Sequence, residues 1–401
     1  MPLLQSKIRI LFALCFVAFI TVAHAQVELG IDILEKQAFA PLAGKRVGLV
    51  TNHTGIDSHG IKTRKIMAAA KNVHLVALFA PEHGLDGTVS AGKYVASRKD
   101  PITGLTVHSL YGPTRKPTPA MLKGIDILVY DMQDIGSRSY TYISTMVKCM
   151  EAAGEAGIDF MVLDRPNPLG GLRVEGPPIE SKWISFVGQL PVPYIHGMTA
   201  GELAQMANGK GWVQPRCKLT VVSMRGWHRD MTWENTGLHW IATSPNIPYP
   251  TSPLYYAATG LVGEMQGIET GCGTSEPFQV AASKWFHAAQ FTKYLRSLNL
   301  PGVTFTEYSK SGFEGARIHI EPGSNADLSA LGLHILAAAE LSSPKDLFSG
   351  PASRYDIFYK CYGSDSIRTA LEHHVSASKI IAGWAANNSR FQTERRPYLL
   401  Y

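Results

Sequence analysis

Leu75 to Ala80 is a run of six apolar residues without polar alternation, and Pro81 ends it. Such a run suits a strand covered on both faces, as in a parallel sheet. Proline stops the strand because it has no N–H to give to a ladder. Glu82, His83 and Gly84 follow at once. Arg46 to Asn52, Leu105 to Leu110, Ile125 to Tyr130 and Ile158 to Leu163 are further short runs of strand type. Ile61 to Lys71 and Ser139 to Ala156 have helical composition between them. Strands spaced by helices predict βαβ units, right-handed crossovers and a mainly parallel α/β sheet.

Prolines and glycines interrupt any long element from Gly170 to Tyr194. Thr199 to Gly209 predicts a helix with Thr199 as N-cap and Glu202 closing a capping box, and Leu219 to Met224 a strand. The proline-rich stretch Ser244 to Pro253 is the expected boundary between domains spanning 26–245 and 246–401. The second domain mixes elements. Helices are expected over Ala288–Leu298, Leu328–Leu341, Ser366–His374 and Ser378–Asn388, and a strand pair over Val303–Tyr308 and Ala316–Glu321.

With 45% hydrophobic and 17% charged residues the composition is that of a globular chain. Lys7 and Arg9, the apolar stretch Ile10 to Val22 and the small-residue site Ala23-His24-Ala25 read as a signal peptide over residues 1–25. The apolar stretch is too short for a good membrane span. A periplasmic or secreted protein is expected, with no stable membrane insertion after cleavage. Removing Lys7 and Arg9 lowers the formal charge from +6 to +4, and the charge is not gathered in runs. Nothing in that balance signals nucleic-acid binding. Cys149, Cys217, Cys272 and Cys361 fit no zinc or redox spacing, and their pairing stays open. Gly87 to Lys93 approaches a phosphate loop, but Tyr94 stands where Ser or Thr is needed. The absence of a G-x-G-x-x-G turn argues against a nicotinamide enzyme.

The strand ends share one property. Asn52-His53, Glu82-His83, Tyr111, then Asp131, Gln133, Asp134 and Arg138, and finally Asp164-Arg165-Pro166-Asn167 each follow an apolar run. A parallel sheet brings such ends to one edge, where ligands bind. Carboxylates among amides, imidazoles and arginines suit the hydroxyls of a carbohydrate. Glycoside cleavage uses one carboxylic acid on the leaving oxygen and a second group to attack or to activate water. Glu82, behind Phe79-Ala80-Pro81, has an apolar shoulder of the kind that keeps a carboxyl protonated. Each residue also has a structural reading. Asp131 and Asp134 can cap the next helix, Arg138 and Arg165 can pair with them, and Asn52 and Asn167 can form turns. His83 reads as an orienting residue rather than a metal ligand.

Long motifs carry a resemblance. Thr51-Asn52-His53-Thr54-Gly55, Pro81-Glu82-His83-Gly84, Asp131-Met132-Gln133-Asp134-Ile135-Gly136-Ser137-Arg138, Leu163-Asp164-Arg165-Pro166-Asn167-Pro168, Ser244-Pro245-Asn246-Ile247-Pro248 and Tyr398-Leu399-Leu400-Tyr401 resemble the NamZ-type exo-β-N-acetylmuramidases. The resemblance runs from about Gly30 to Tyr401. It implies a Rossmann-like domain, a smaller α+β C-terminal domain and a cleft between them. It implies removal of N-acetylmuramic acid from the non-reducing ends of peptidoglycan fragments, without metal or cofactor. The family's catalytic glutamate falls on Glu82, and Asp131, Asp134 or Glu264 is expected to supply a second carboxylate. Arg138 is a candidate to hold the lactyl carboxylate. Asn52, His53, His83, Tyr111, Gln133, Asp164, Arg165, Asn167 and Glu264 complete the expected substrate-binding set. One departure stands out: an arginine usual in the family is Cys272 here. A periplasmic muropeptide-binding protein without turnover is the alternative. A peptidoglycan amidase or esterase is weaker, because no nucleophile–base pair is visible.

Overall fold

The computed structural model describes residues 26–351 and 355–401, so the expected signal peptide lies outside the described residues. Seven strands form the first sheet: β1 (Arg46–Thr51), β2 (His74–Ala80), β3 (Arg98–Lys99), β4 (Thr106–Ser109), β5 (Ile127–Asp131), β6 (Asp159–Leu163) and β7 (Lys218–Val222). Their order is β3-β4-β2-β1-β5-β6-β7. All neighbours are parallel except the short, charged edge strand β3, which runs against β4. The fold is the expected α/β sheet domain, with its switch point between β1 and β5.

The unbroken apolar runs are explained by two covered faces. Phe79, Leu128, Tyr130 and Phe160 point into a core shared with the helix Tyr142–Ala156. Leu49, Leu78, Val129 and Met161 point the other way, into a core with Ile31 and Leu34 of the helix Gly30–Lys36 and Met67 of the helix Thr63–Ala69. Each of these side chains contributes about 1.5–3 kcal/mol by leaving water.

The smaller sheet is antiparallel. It contains β8 (Ile268–Glu269), β9 (Val280–Ser283), β10 (Val303–Lys310) and β11 (Phe313–Ile320) in the order β10-β11-β9-β8. The helices Ala288–Ser297 and Leu328–Ser342 stand close to the expected spans. Three differences from sequence expectation matter for the site. The helix after β5 starts at Tyr142, not Ser139, because Arg138 N–H is bonded to the Tyr194 carbonyl at 2.8 Å and Ser137 bridges to Ile195. The proline-rich stretch runs into a helix, Ser252–Thr259, with Pro253 in the first turn, where its missing N–H costs nothing. The last expected helix is two, Ala377–Ala382 and Ala385–Glu394, with Trp384 buried at the break. Among the described residues no helix is long and apolar enough to cross a membrane.

Candidate active site

At the end of β2 the chain reverses through His83 and Gly84, with φ of +67° and +78°. A left-handed histidine is a local strain of the kind found at functional sites. His83 Nδ1 lies 2.7 Å from the Val89 carbonyl oxygen. The reversal folds the glycine-rich run back over the strand end, and the Gly92 N–H donates to Glu82 Oε1 at 2.8 Å. The run that approaches a phosphate loop in sequence therefore holds a carboxylate. Gly87 has no side chain for a reason: a Cβ there would lie 1.9 Å from the His53 ring. His53 thus supports this loop, and burial lowers its pKa.

Glu82 Oε2 accepts a 2.6 Å hydrogen bond from Thr141 Oγ1. Tyr111 stands beside the same carboxylate. Burial, and then the Glu82 charge, push its phenol up to about 12. Phe79 and Ala80 are buried behind, but the carboxylate itself meets polar groups. Among the described residues Glu82 has no cationic partner.

The other strand ends are tied to the framework. Asn52 Oδ1 takes the Thr54 N–H at 2.9 Å and the Thr54 hydroxyl at 2.6 Å, a turn former's task. Asp131 pairs with Arg165 at 2.6 Å and accepts from Thr63 Oγ1 at 2.5 Å, with both ionic partners buried. Arg165 also donates to the Ile56 carbonyl. Gln133 Nε2 donates to the Asp134 and Pro166 carbonyls. Asp134 Oδ2 accepts the Gly136 N–H at 2.7 Å, and burial pushes this carboxyl up to about 7. Gly136 (φ +84°) is needed because a Cβ would sit 2.3 Å from Asn167 Oδ1. Asn167 bonds the Leu169 N–H and the Met198 carbonyl.

Four of the expected site residues are committed to the framework in this geometry. Arg138 donates to four backbone carbonyls, those of Pro177, Val192, Cys361 and Tyr362, which fastens the two domains together. It is buried and committed, so it does not fit the role of a substrate carboxylate's partner. Asp164 accepts from Thr199 Oγ1 (2.7 Å), Gly201 N–H (2.8 Å) and Tyr401 Oη (2.8 Å). It closes the start of the helix Ala200–Gly209, whose capping box is formed as expected. Asp131 and Arg165, sealed against each other, are likewise framework.

Glu264 lies on the short turn Val262–Glu264, after the helix Ser252–Thr259. It is accessible to solvent yet surrounded by protein mass, and burial raises its pKa. Its charge is felt by Tyr194, Tyr256 and Cys361. Tyr256 Oη is 2.9 Å from Ser139 Oγ. Ser139 and Thr141 thus join the surroundings of Glu264 to Glu82 through two residues of chain, a reach of about 7 Å at most between their Cα atoms. Sequence reasoning missed Thr141, Gly92, Ser139 and Tyr256, because hydroxyls and backbone N–H groups carry no motif. Cys272 is exposed 3.5 Å from Thr270 Oγ1, and the neighbouring Gly273 N–H bonds Asn246 of the Ser244–Pro248 motif. All four cysteines among the described residues are free.

Asp32, Asp57 and His59 form the group with metal-ligand spacing among the described residues. The aspartate oxygens already accept the N–H groups of Leu29, Ser58, His59 and Ile61, which are cap and turn contacts. A cavity of about 210 Å³ beside the switch point is lined by Thr54, Gln133, Arg165 and Trp233, and Glu82 does not reach it.

A mainly parallel sheet with a carboxylate at a strand end that has no cationic partner among the described residues, followed by a smaller antiparallel sheet, defines a two-domain α/β protein. Residues 47–251 match the profile of the N-terminal domain of exo-β-N-acetylmuramidase NamZ, and residues 254–401 that of its C-terminal domain. The chain belongs to the NamZ family. It is 39% identical to the peptidoglycan β-N-acetylmuramidase NamZ of Bacillus subtilis (strain 168) over 390 residues, covering 95% of this chain and 93% of that one. It is also similar to two crystal structures of DUF1343 family proteins from Bacteroides fragilis NCTC 9343. One has TM-score 0.87 and 43% identity, the other 0.72 and 30%. In both, 94% of this chain and 99% of the other are covered.

Proposed function

We propose that this protein is an exo-acting glycoside hydrolase that removes N-acetylmuramic acid from the non-reducing ends of peptidoglycan fragments. The observation that carries the reading is Glu82: a carboxylate at a parallel-strand end, oriented by Gly92 and Thr141 and left without a cation. Membership of a family that includes a peptidoglycan β-N-acetylmuramidase supports the substrate class.

Acid and base roles follow from two carboxyls in different surroundings. Glu264, raised by burial, holds the proton given to the glycosidic oxygen as the C1–O bond breaks. Glu82, met by hydrogen-bond donors, works as the carboxylate that orients the attacking group, either water or the sugar's own 2-acetamido oxygen. With water as the attacker, its proton passes to Glu82 and its oxygen joins C1. The signal-like residues 1–25 support a site of action in the periplasm or outside the cell. The test is hydrolysis of a chromogenic N-acetylmuraminide by the purified protein and by Glu82→Gln. Turnover unchanged in the variant removes Glu82 from the mechanism, and no turnover by the parent protein removes the enzyme reading.

A further inference from the structure

Muramic acid differs from glucosamine by a 3-O-lactyl group that ends in a carboxylate. A site built around the Glu82 carboxylate repels that second negative charge unless a cation meets it. Most arginines near the sheet edge are already committed. Arg138 is spent on carbonyls, Arg165 on Asp131, and Arg64 and Arg98 on Asp86 or Asp100.

Arg115 differs from these. It is exposed, and its guanidinium carbon stands 4.5 Å from the centre of the Phe186 ring and 5.3 Å from that of Tyr111. The two rings are 6.1 Å apart and tilted by 49°, so they grip the guanidinium as a clamp. Such contacts fix the group's position and leave its N–H edge free for an anion. Among the described residues Arg115 has no carboxylate partner, whereas the adjacent Lys116 is paired with Glu155 at 2.7 Å. One wall of the clamp, Tyr111, is the residue that stands against Glu82. An oriented, unpaired guanidinium therefore lies one tyrosine away from the carboxylate at the centre of the site.

We propose that Arg115, clamped by Tyr111 and Phe186, selects muramic over glucosamine sugars by taking the lactyl carboxylate through two parallel N–H bonds. This rests on the reading of the site given above and names the residue that sets its specificity. Lysine keeps the charge but not the planar fork or the stacking, so it is a poor replacement.

The experiment compares the parent protein with Arg115→Gln and Arg115→Lys. Free N-acetylmuramic acid and N-acetylglucosamine are titrated by calorimetry, and the chromogenic glycosides of both sugars are assayed. Arg115→Gln is expected to weaken binding of the acid on the order of 10- to 100-fold and to leave N-acetylglucosamine within about twofold. KM for the muraminide rises with little change in kcat, and Arg115→Lys recovers only part of the loss. An undiminished preference for the acid in Arg115→Gln, or equal losses on both sugars, overturns the assignment while the hydrolase reading stands. Binding of the acid that depends on Arg115, with no turnover by the parent protein, keeps the assignment and overturns the hydrolase reading. A parent protein that binds both sugars equally overturns the assignment as well.

Discussion

The ends of β2 and β6 look alike as sequence and differ as structure. Both are buried apolar strands followed by an acidic residue, a basic one and a proline or glycine turn. After β6, each of these residues is bonded inside the protein: Asp164 to helix-start groups and the remote Tyr401, Arg165 to the Asp131 carboxylate, and Asn167 to the Met198 carbonyl. After β2, Glu82 has hydrogen-bond donors from two loops and no cation. A buried acid whose charge is answered by a helix start or an arginine is part of the scaffold. One held in place but left uncompensated keeps its charge for a ligand. The difference lies in the partners, which arrive from distant parts of the chain.

The sharpest way to break this contrast is to exchange the two acids' fates. Glu82→Gln keeps the shape and the bonds' geometry. It is expected to lower kcat by on the order of a thousandfold or more while stability changes by less than about 1 kcal/mol, read from turnover and thermal unfolding. Asp164→Ala is expected to do its damage in stability. It leaves the Gly201 N–H at the start of the helix Ala200–Gly209 and the Thr199 and Tyr401 hydroxyls without their acceptor, a loss of about 2–4 kcal/mol in denaturant unfolding. If Asp164→Ala unfolds like the parent, the scaffold reading of β6 fails.

A third test addresses the partner acid. Glu264→Gln is expected to cut kcat about a hundredfold and to remove the alkaline fall of the pH–rate profile, since a proton donor raised by burial is lost as pH rises. An unchanged alkaline limb would assign the acid elsewhere. The smallest effect concerns the sealed acid after β5. Burial holds the Asp134 carboxyl at about 7 in the folded chain, against about 3.9 for a free aspartate. The folded state therefore keeps an extra proton between those values, and its stability falls as pH rises through that window. Asp134→Asn cannot ionise and should gain on the order of 1 kcal/mol over the parent at pH 8, with little difference at pH 4. Melting temperatures at the two pH values decide it. The slope that remains comes from Asp164 and Glu175, raised by burial to about 6 and about 7.

The strands were legible because burial on two faces leaves a local mark: β2, β5 and β6 are apolar at nearly every position, and Thr199 with Glu202 marks a helix start within four residues. Glu82 was legible as a polar residue directly after such a strand. The committed state of Arg138 was not, since two of its four carbonyl partners lie more than 200 residues away. The same holds for Thr141, a residue of ordinary composition that matters because it reaches Glu82 from 59 positions on. The glycine-rich run, set aside in the sequence as a phosphate loop, owes its composition to something the sequence does not mark. Its glycines are required by His53 and by the turn geometry, not by a phosphate.

The closing motif around Tyr401 bears on how the molecule is assembled. Tyr401 is bonded to Asp164, 237 positions earlier, and also to Met224, while Leu400 reaches Glu202 and Arg395 the carbonyls of His196 and Gly197. A nascent chain that has emerged only as far as β7 has a completed sheet but an unsealed corner. Closing that corner waits for the whole second domain to be made. Folding is thus coupled end to end, with the slow, long-loop closure that such distant contacts impose. The two domains stand to behave as one cooperative unit, and neither is a natural fragment to express alone.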